Sequence, residues 1–206
     1  MTRLLLLAAL ALVVAGRAQA QHHGGHAAHT DTHVAAHAVA ETFVVDGLRV
    51  DAANPPAGSG VGRAGLRYGD GGYVSVVHGK PYARGRQVFG GLVGYDAVWT
   101  AGAHRATELV TTVPLVVGGT RLEPGAYGLF VTPRADRWTL HVNRTLGMHL
   151  ADEYDPALDV ATVDAAPGPP DAPVEGLTWA FADDGSALVL SWDRARAAFP
   201  IARADP

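Results

Sequence analysis

Six of the ten histidines in the chain fall within QHHGGHAAHTDTHVAAH, residues 21–37. Cleavage after Ala20 would leave a free amine on Gln21-His22-His23, with histidine in third place. An amine, two deprotonated amides and one imidazole form a square-planar nitrogen set that suits Cu(II) or Ni(II). Cyclisation of Gln21 to pyroglutamate would remove the amine and defeat that set. His26, His29, His33 and His37 lie three, four and four residues apart. On an induced helix they would share one face and could chelate Zn, Ni or Cu. Against this stands a plain alternative, a soluble spacer whose histidines meet metal only incidentally. The oxidative copper brace of some polysaccharide-cleaving enzymes needs histidine as the first residue, and Gln21 stands there instead.

A second constellation lies in GYDAVWTAGAHRATEL, residues 94–109. Tyr95, Trp99, His104, Thr107 and Glu108 combine aromatic faces with polar tips, and Arg86 precedes them. Such groups on a loop can hold a sugar ring or a small polar molecule. The competing expectation is structural: Gly94, Gly102 and Ala103 set turns, and Trp99 plugs one end of the fold. His141 and Asn143 alternate on the non-core side of a strand and complete the candidate ligand-binding set; His141 is expected in solvent. His78, His149, Asp152, Glu153, Asp155 and Asp159 are the remaining groups, two or three of which could converge as a metal site or acid–base pair, although nothing in their spacing shows it. G-x-S-x-G, H-E-x-x-H and the P-loop are all missing from the sequence, so no catalytic residue is assigned.

The elements that would position these groups follow an exported layout. Arg3, the apolar run Leu4–Val14 and Ala18-Gln19-Ala20 read as a signal peptide over 1–20. The run is about half the roughly 20 residues a membrane span needs, so no stable membrane insertion is expected after cleavage. A periplasmic or secreted protein follows. Cysteine is absent, which rules out disulfides, thiolate metal sites and thiol nucleophiles. Loss of Arg3 and Arg17 with the leader leaves 14 basic residues against 20 acidic ones, a net charge of −6. A mildly acidic chain without a basic run argues against nucleic acid as a partner.

Residues 21–41 lack large apolar side chains and are expected to be disordered. The folded domain is placed at 42–206. TFVVDGLRV reads as its first strand, NPPAGSGVGRAG (54–65) as a turn-rich loop, and GYVSVVHG (72–79) as a strand. ATELVTTVPLVVGG (106–119) reads as one extended run with Pro114 at an edge or bulge. GAYGLFVTP (125–133) is a strand entered from the Pro124-Gly125 turn. Trp138, Leu140 and Val142 alternate inward in RWTLHVNR. In LTWAFADDGSALVLSW, Leu177, Trp179 and Phe181 face Leu188, Leu190 and Trp192 across the Asp184-Gly185 hairpin signal. APGPPDAP (166–173) is a loop within the domain. Short strands with Gly and Pro breakers between them predict an all-β fold: one antiparallel β-sandwich, jelly-roll or immunoglobulin-like.

Five segments carry a family resemblance: NPPA (54–57), HGKPYARGRQVFGGLVGYDAVWTAGAHRAT (78–107), LEPGAYGLFVTPRADRWTLHVNR (122–144), YDPALDVATV (154–163) and LTWAFADDGSALVLSWDRARAAFPI (177–201). In this order they resemble the domain of unknown function 2911 family (DUF2911) of exported bacterial proteins. Gly85, Arg86, Gly90, Leu92, Val93, Tyr95, Val98, Trp99, Gly102, Ala103, Ala106 and Thr107 match its pattern. Thr100, His104 and Arg105 replace the usual Arg, Asn and Glu. The resemblance implies an exported all-β domain and supplies no activity. The sequence therefore favours a non-enzymatic binding module for a small molecule, a glycan or a partner protein. Metal capture by the tail and an unrecognised hydrolase are the alternatives.

Overall fold

The structure is a computed structural model that describes residues 38–46 and 58–205. The leader and the histidines His22, His23, His26, His29, His33 and His37 lie outside the described residues. The described chain is built from β1 (Val39–Asp46), β2 (Gly60–Tyr68), β3 (Tyr73–Lys80), β4 (Thr107–Thr111), β5 (Leu115–Val117), β6 (Thr120–Leu122), β7 (Gly125–Pro133), β8 (Trp138–Asn143), β9 (Asp159–Ala165), β10 (Val174–Phe181), β11 (Ala187–Asp193) and β12 (Ala195–Arg203). A single 3-10 turn, Pro156–Leu158, is the one helical element among them.

Two antiparallel sheets result. One runs β1-β2-β3-β4-β7-β8-β9 and the other β10-β11-β12-β5-β6. The fold is thus the all-β antiparallel sandwich that the strand spacing predicts. Alternation places Trp138, Leu140 and Val142 inside, opposite Leu177, Trp179, Leu188 and Leu190, all at 0–1 % exposure. Phe181 and Trp192 complete the buried arms of the β10–β11 hairpin, and Gly185 takes φ +71° in its turn. Trp179 meets Phe199 in the same interior.

Three expectations about the elements change. First, β1 begins at Val39, inside the segment assigned to the tail. Second, β2 starts within the supposed loop at 54–65. Its glycines are not turn formers. A Cβ at Gly62 would strike the His78 ring, one at Gly65 the Phe43 ring, and one at Gly60 the Tyr82 hydroxyl. Glycine inside a strand here makes room for a neighbour's large side chain. Third, the run at 106–119 is two strands in different sheets. The chain crosses at Thr112–Pro114. The Thr111 hydroxyl donates to the Val113 carbonyl (2.5 Å), while the Pro114 carbonyl accepts from Ala204 N–H (2.9 Å).

Candidate functional site

The 81–106 connection between β3 and β4 has no regular strand or helix. Connections of more than roughly 15 residues without such structure are usually functional or linkers. This one is tightly held. Arg86 clamps its start: Nε donates to the Ala83 carbonyl (3.0 Å) and Nη2 to the Tyr82 carbonyl (2.8 Å). Val88 and Val93 anchor the middle in the core. Trp99 pairs with Val131, N–H to carbonyl in both directions (2.9 and 2.8 Å), and so continues the large sheet where β4 stops. Near the end, the Ala101 carbonyl accepts from the Thr107 hydroxyl and from Trp179 Nε1, both at 2.9 Å.

Four of the six non-glycine residues with positive φ among the described residues lie in this connection: Arg84, Asp96, Ala101 and His104. That conformation costs free energy in most residues and collects at ligand clamps and switches. The turns are therefore carried by Ala101 and His104, whereas Gly94 and Gly102 are not at positive φ. Gly102 instead serves close approach, because a Cβ there would press on Thr107 Oγ1 and on the Gly79 backbone.

The loop frames a groove of about 410 Å³ at one end of the sandwich. Trp99 and Trp192 stack at 5.9 Å with 23° between their planes, and Phe89 packs edge-on against both. Arg84, Arg86, His104 and Leu92 stand around them. Both indole N–H groups are engaged, Trp99 with the Gly102 carbonyl (3.1 Å) and Trp192 with the Glu175 carbonyl (3.2 Å). Neither ring therefore has a free donor; Trp192 is buried, and only the half-buried Trp99 presents indole surface to the groove. Arg84 Nη2 donates to the Gly58 carbonyl (2.7 Å), which fixes its guanidinium at the rim. No carboxylate lines the groove among the described residues.

The eight candidate ligand residues are thus divided. Arg86, Trp99 and His104 share the groove; Trp99 also fulfils the plug expectation by packing on the core. His104 and Glu108 line a second recess, on the outer face of the large sheet. Tyr95 borders a third, with Arg134 and Arg194. Thr107 is fully buried and holds the loop. Arg84 and Trp192 also line the groove, although the sequence marks neither as a binding residue; the arginines clustered before Trp99 are the signal for Arg84, and Trp192 is at the same time part of the core.

His141 and Asn143 belong to a separate network. His141 Nδ1 is 2.9 Å from Asp159 Oδ2, and its Nε2 is 2.9 Å from the Thr132 hydroxyl. The Tyr154 hydroxyl donates to the same Asp159 oxygen (2.5 Å), and Asn143 Nδ2 donates to Asp159 Oδ1 (2.8 Å). His141 is not in solvent, as alternation alone suggests, but 15 % exposed. The reason is a second apolar cluster, Ala106, Phe130 and Met148 with Val98, Ala151 and Tyr154, that covers this part of the outer face. Burial, then the Asp159 hydrogen bond, push the Tyr154 phenol well above its ordinary range. Asp159, His141 and Thr132 form a relay in outline. Thr132, however, is buried and its hydroxyl is spent on His141, so it is no exposed nucleophile. The other five carboxylates and histidines do not join it: His78 faces the interior, His149, Asp152 and Glu153 are exposed, and the exposed Asp155 carboxylate accepts from Ala157 N–H (2.9 Å).

The model of the family described as protein of unknown function (DUF2911) matches residues 66–201, from the end of β2 into β12, including the 81–106 loop. The chain belongs to the DUF2911 family. No curated protein and no solved structure matches it. His104 has φ +66°, a conformation that His and Asn both tolerate better than most residues.

Proposed function

We propose that this DUF2911 chain is a binding module for a small ring-bearing anion, such as an aromatic carboxylate or an acidic sugar. The observation that carries this reading is the groove itself, where the half-buried Trp99, backed by buried Trp192, meets two anchored guanidiniums with no acidic side chain among its described lining. The whole chain is acidic, at −4; the groove gathers two arginines, with Glu175 beside it accepting from Arg84 N–H (2.8 Å) through Oε1. Planar guanidiniums match carboxylates and sulfates, and held in place they lose less entropy on binding. Aromatic faces add apolar area without a donor to satisfy.

Isothermal titration with benzoate and glucuronate, set against benzamide and glucose, tests the reading. The anions should bind at least about tenfold tighter than their neutral partners, since a hydrogen bond to a charged group contributes about 1.5–3 kcal/mol. Binding should weaken with added salt. Arg84→Gln, which leaves the Arg86 clamp intact, should weaken the anions and not the neutral compounds. Equal affinity for benzoate and benzamide would remove the proposal. Export, and metal capture by residues 21–37, remain proposals carried by the sequence pattern alone. A hydrolase reading has less support, because His104, His141, Glu108 and Tyr95 do not converge.

A further inference from the structure

The outer face of the large sheet carries a second recess, of about 270 Å³, between β2, β3 and β4 on one side and residues 103–106 on the other. Its floor is apolar and bare. Val61 is 60 % exposed and Val77 43 % exposed, on strands whose opposite faces are fully packed. Gly79 forms the closed end. A Cβ there would collide with the Ala103 carbonyl, so only glycine lets the loop settle onto the sheet.

Two charged side chains line this recess, and neither is neutralised by the other. Glu108 stands directly opposite Val77 in the β3–β4 register. Its Oε1 accepts from Gly147 N–H (2.8 Å), which fixes the carboxylate in place. Oε2 receives no hydrogen bond among the described residues. Arg105 is held through its backbone, with Arg105 N–H donating to the Ala103 carbonyl (2.8 Å) and a bridge to His149. Its exposed guanidinium has no hydrogen-bond or ion-pair partner among the described residues.

We infer that this recess binds a small aliphatic zwitterion, namely a free α-amino acid of the leucine or valine type. The ammonium pairs with Glu108, the carboxylate with Arg105, and the side chain lies on Val61 and Val77. Each group in the ligand answers one feature of the recess that the protein leaves unanswered. At about 270 Å³ the recess lies just below the roughly 300 Å³ at which ordinary small-molecule sites begin, which limits it to a single small molecule. The inference is independent of the tryptophan groove, with which the recess shares only Ser59 and His104 at the rim.

Isothermal titration of the whole chain with L-leucine tests it, with leucinamide lacking the carboxylate, 4-methylpentanoate lacking the amine, and glycine lacking the side chain. Leucine should bind, and each of the three should bind about tenfold more weakly or worse. Glu108→Gln keeps an amide oxygen for Gly147 N–H and removes the charge; it should lower leucine affinity by about tenfold or more. Arg105→Gln, on an exposed side chain, should do the same. Circular dichroism and the melting temperature report whether either variant has lost the fold, and Arg105→Gln carries the test alone if Glu108→Gln has. No leucine binding at millimolar concentration would overturn the inference. So would undiminished binding in a folded variant, or leucinamide binding as well as leucine.

Discussion

Asp159 holds three donors on one carboxylate: His141, Tyr154 and Asn143. Its side chain is 13 % exposed, so those donors cannot all turn to water. Asp159→Ala should therefore destabilise the domain by on the order of 3 kcal/mol, measured by urea unfolding. Tyr154 gives the same network a pH signature. Its phenol is raised in the folded chain, so the contribution is complete below the ordinary tyrosine value of about 10 and is lost as pH rises beyond it. Stability should fall more steeply above pH about 10 in the wild type than in Tyr154→Phe; parallel curves would show that folding does not raise the phenol. None of this was legible beforehand. Alternation in RWTLHVNR states which side His141 faces, and it does face away from the main core. It cannot state that residues 144–158 return over that side and bury it.

At the scale of elements, glycine is where reading and structure part. Gly60, Gly62 and Gly65 look like loop residues in one dimension, yet they are spaces cut in β2 for Tyr82, His78 and Phe43, which come from other elements. Gly79 is the same device between a strand and a loop. Gly79→Ala should lower stability by about 1–3 kcal/mol or more, because backbone and not a flexible tip must yield; a neutral effect would mean the loop is free to lift. The β2–β3 turn is tied to β12 by Arg203, which donates to both Asp70 oxygens (3.0 and 2.5 Å) and lies 4.8 Å above the Tyr68 ring. That guanidinium, then the Gly72 N–H, hold the Asp70 carboxyl well below its ordinary range. A lowered carboxyl stabilises above the unfolded value, about 3.9, and ceases to as pH falls through the folded one. The stability gap between wild type and Asp70→Asn should stay constant from pH 7 to about 4 and shrink below that. The hairpin at Asp184-Gly185 and strand β7 were readable because local turn chemistry and alternation settle them. The break between β4 and β5 was not, because sheet membership depends on partners far along the chain.

At the scale of the molecule, the periodicity of Trp138, Trp179 and Trp192 announces two sheets sharing one interior, and all three indoles are buried there. Strand order is a matter of long-range pairing and had no local signal. The groove was half visible, in Arg86, Trp99 and His104, and half hidden, because Trp192 reaches it from the other sheet. The same view sharpens the metal question. Among the described residues no three histidines or carboxylates converge on a point where an ion could sit. The proposal of tight copper binding therefore rests on the histidine pattern of residues 21–37. The cut that tests this must spare β1: a chain starting at Thr42 strips Val39, which pairs with Tyr68, whereas one starting at Ala38 keeps it. Cu(II) titrated into a chain starting at Gln21 should bind stoichiometrically, and the chain starting at Ala38 should lose that binding. Cyclising Gln21 to pyroglutamate should abolish the square-planar amine site while leaving His26, His29, His33 and His37 to bind more weakly. Equal copper binding with and without residues 21–37 would place the ion in the folded domain and end the case for the tail.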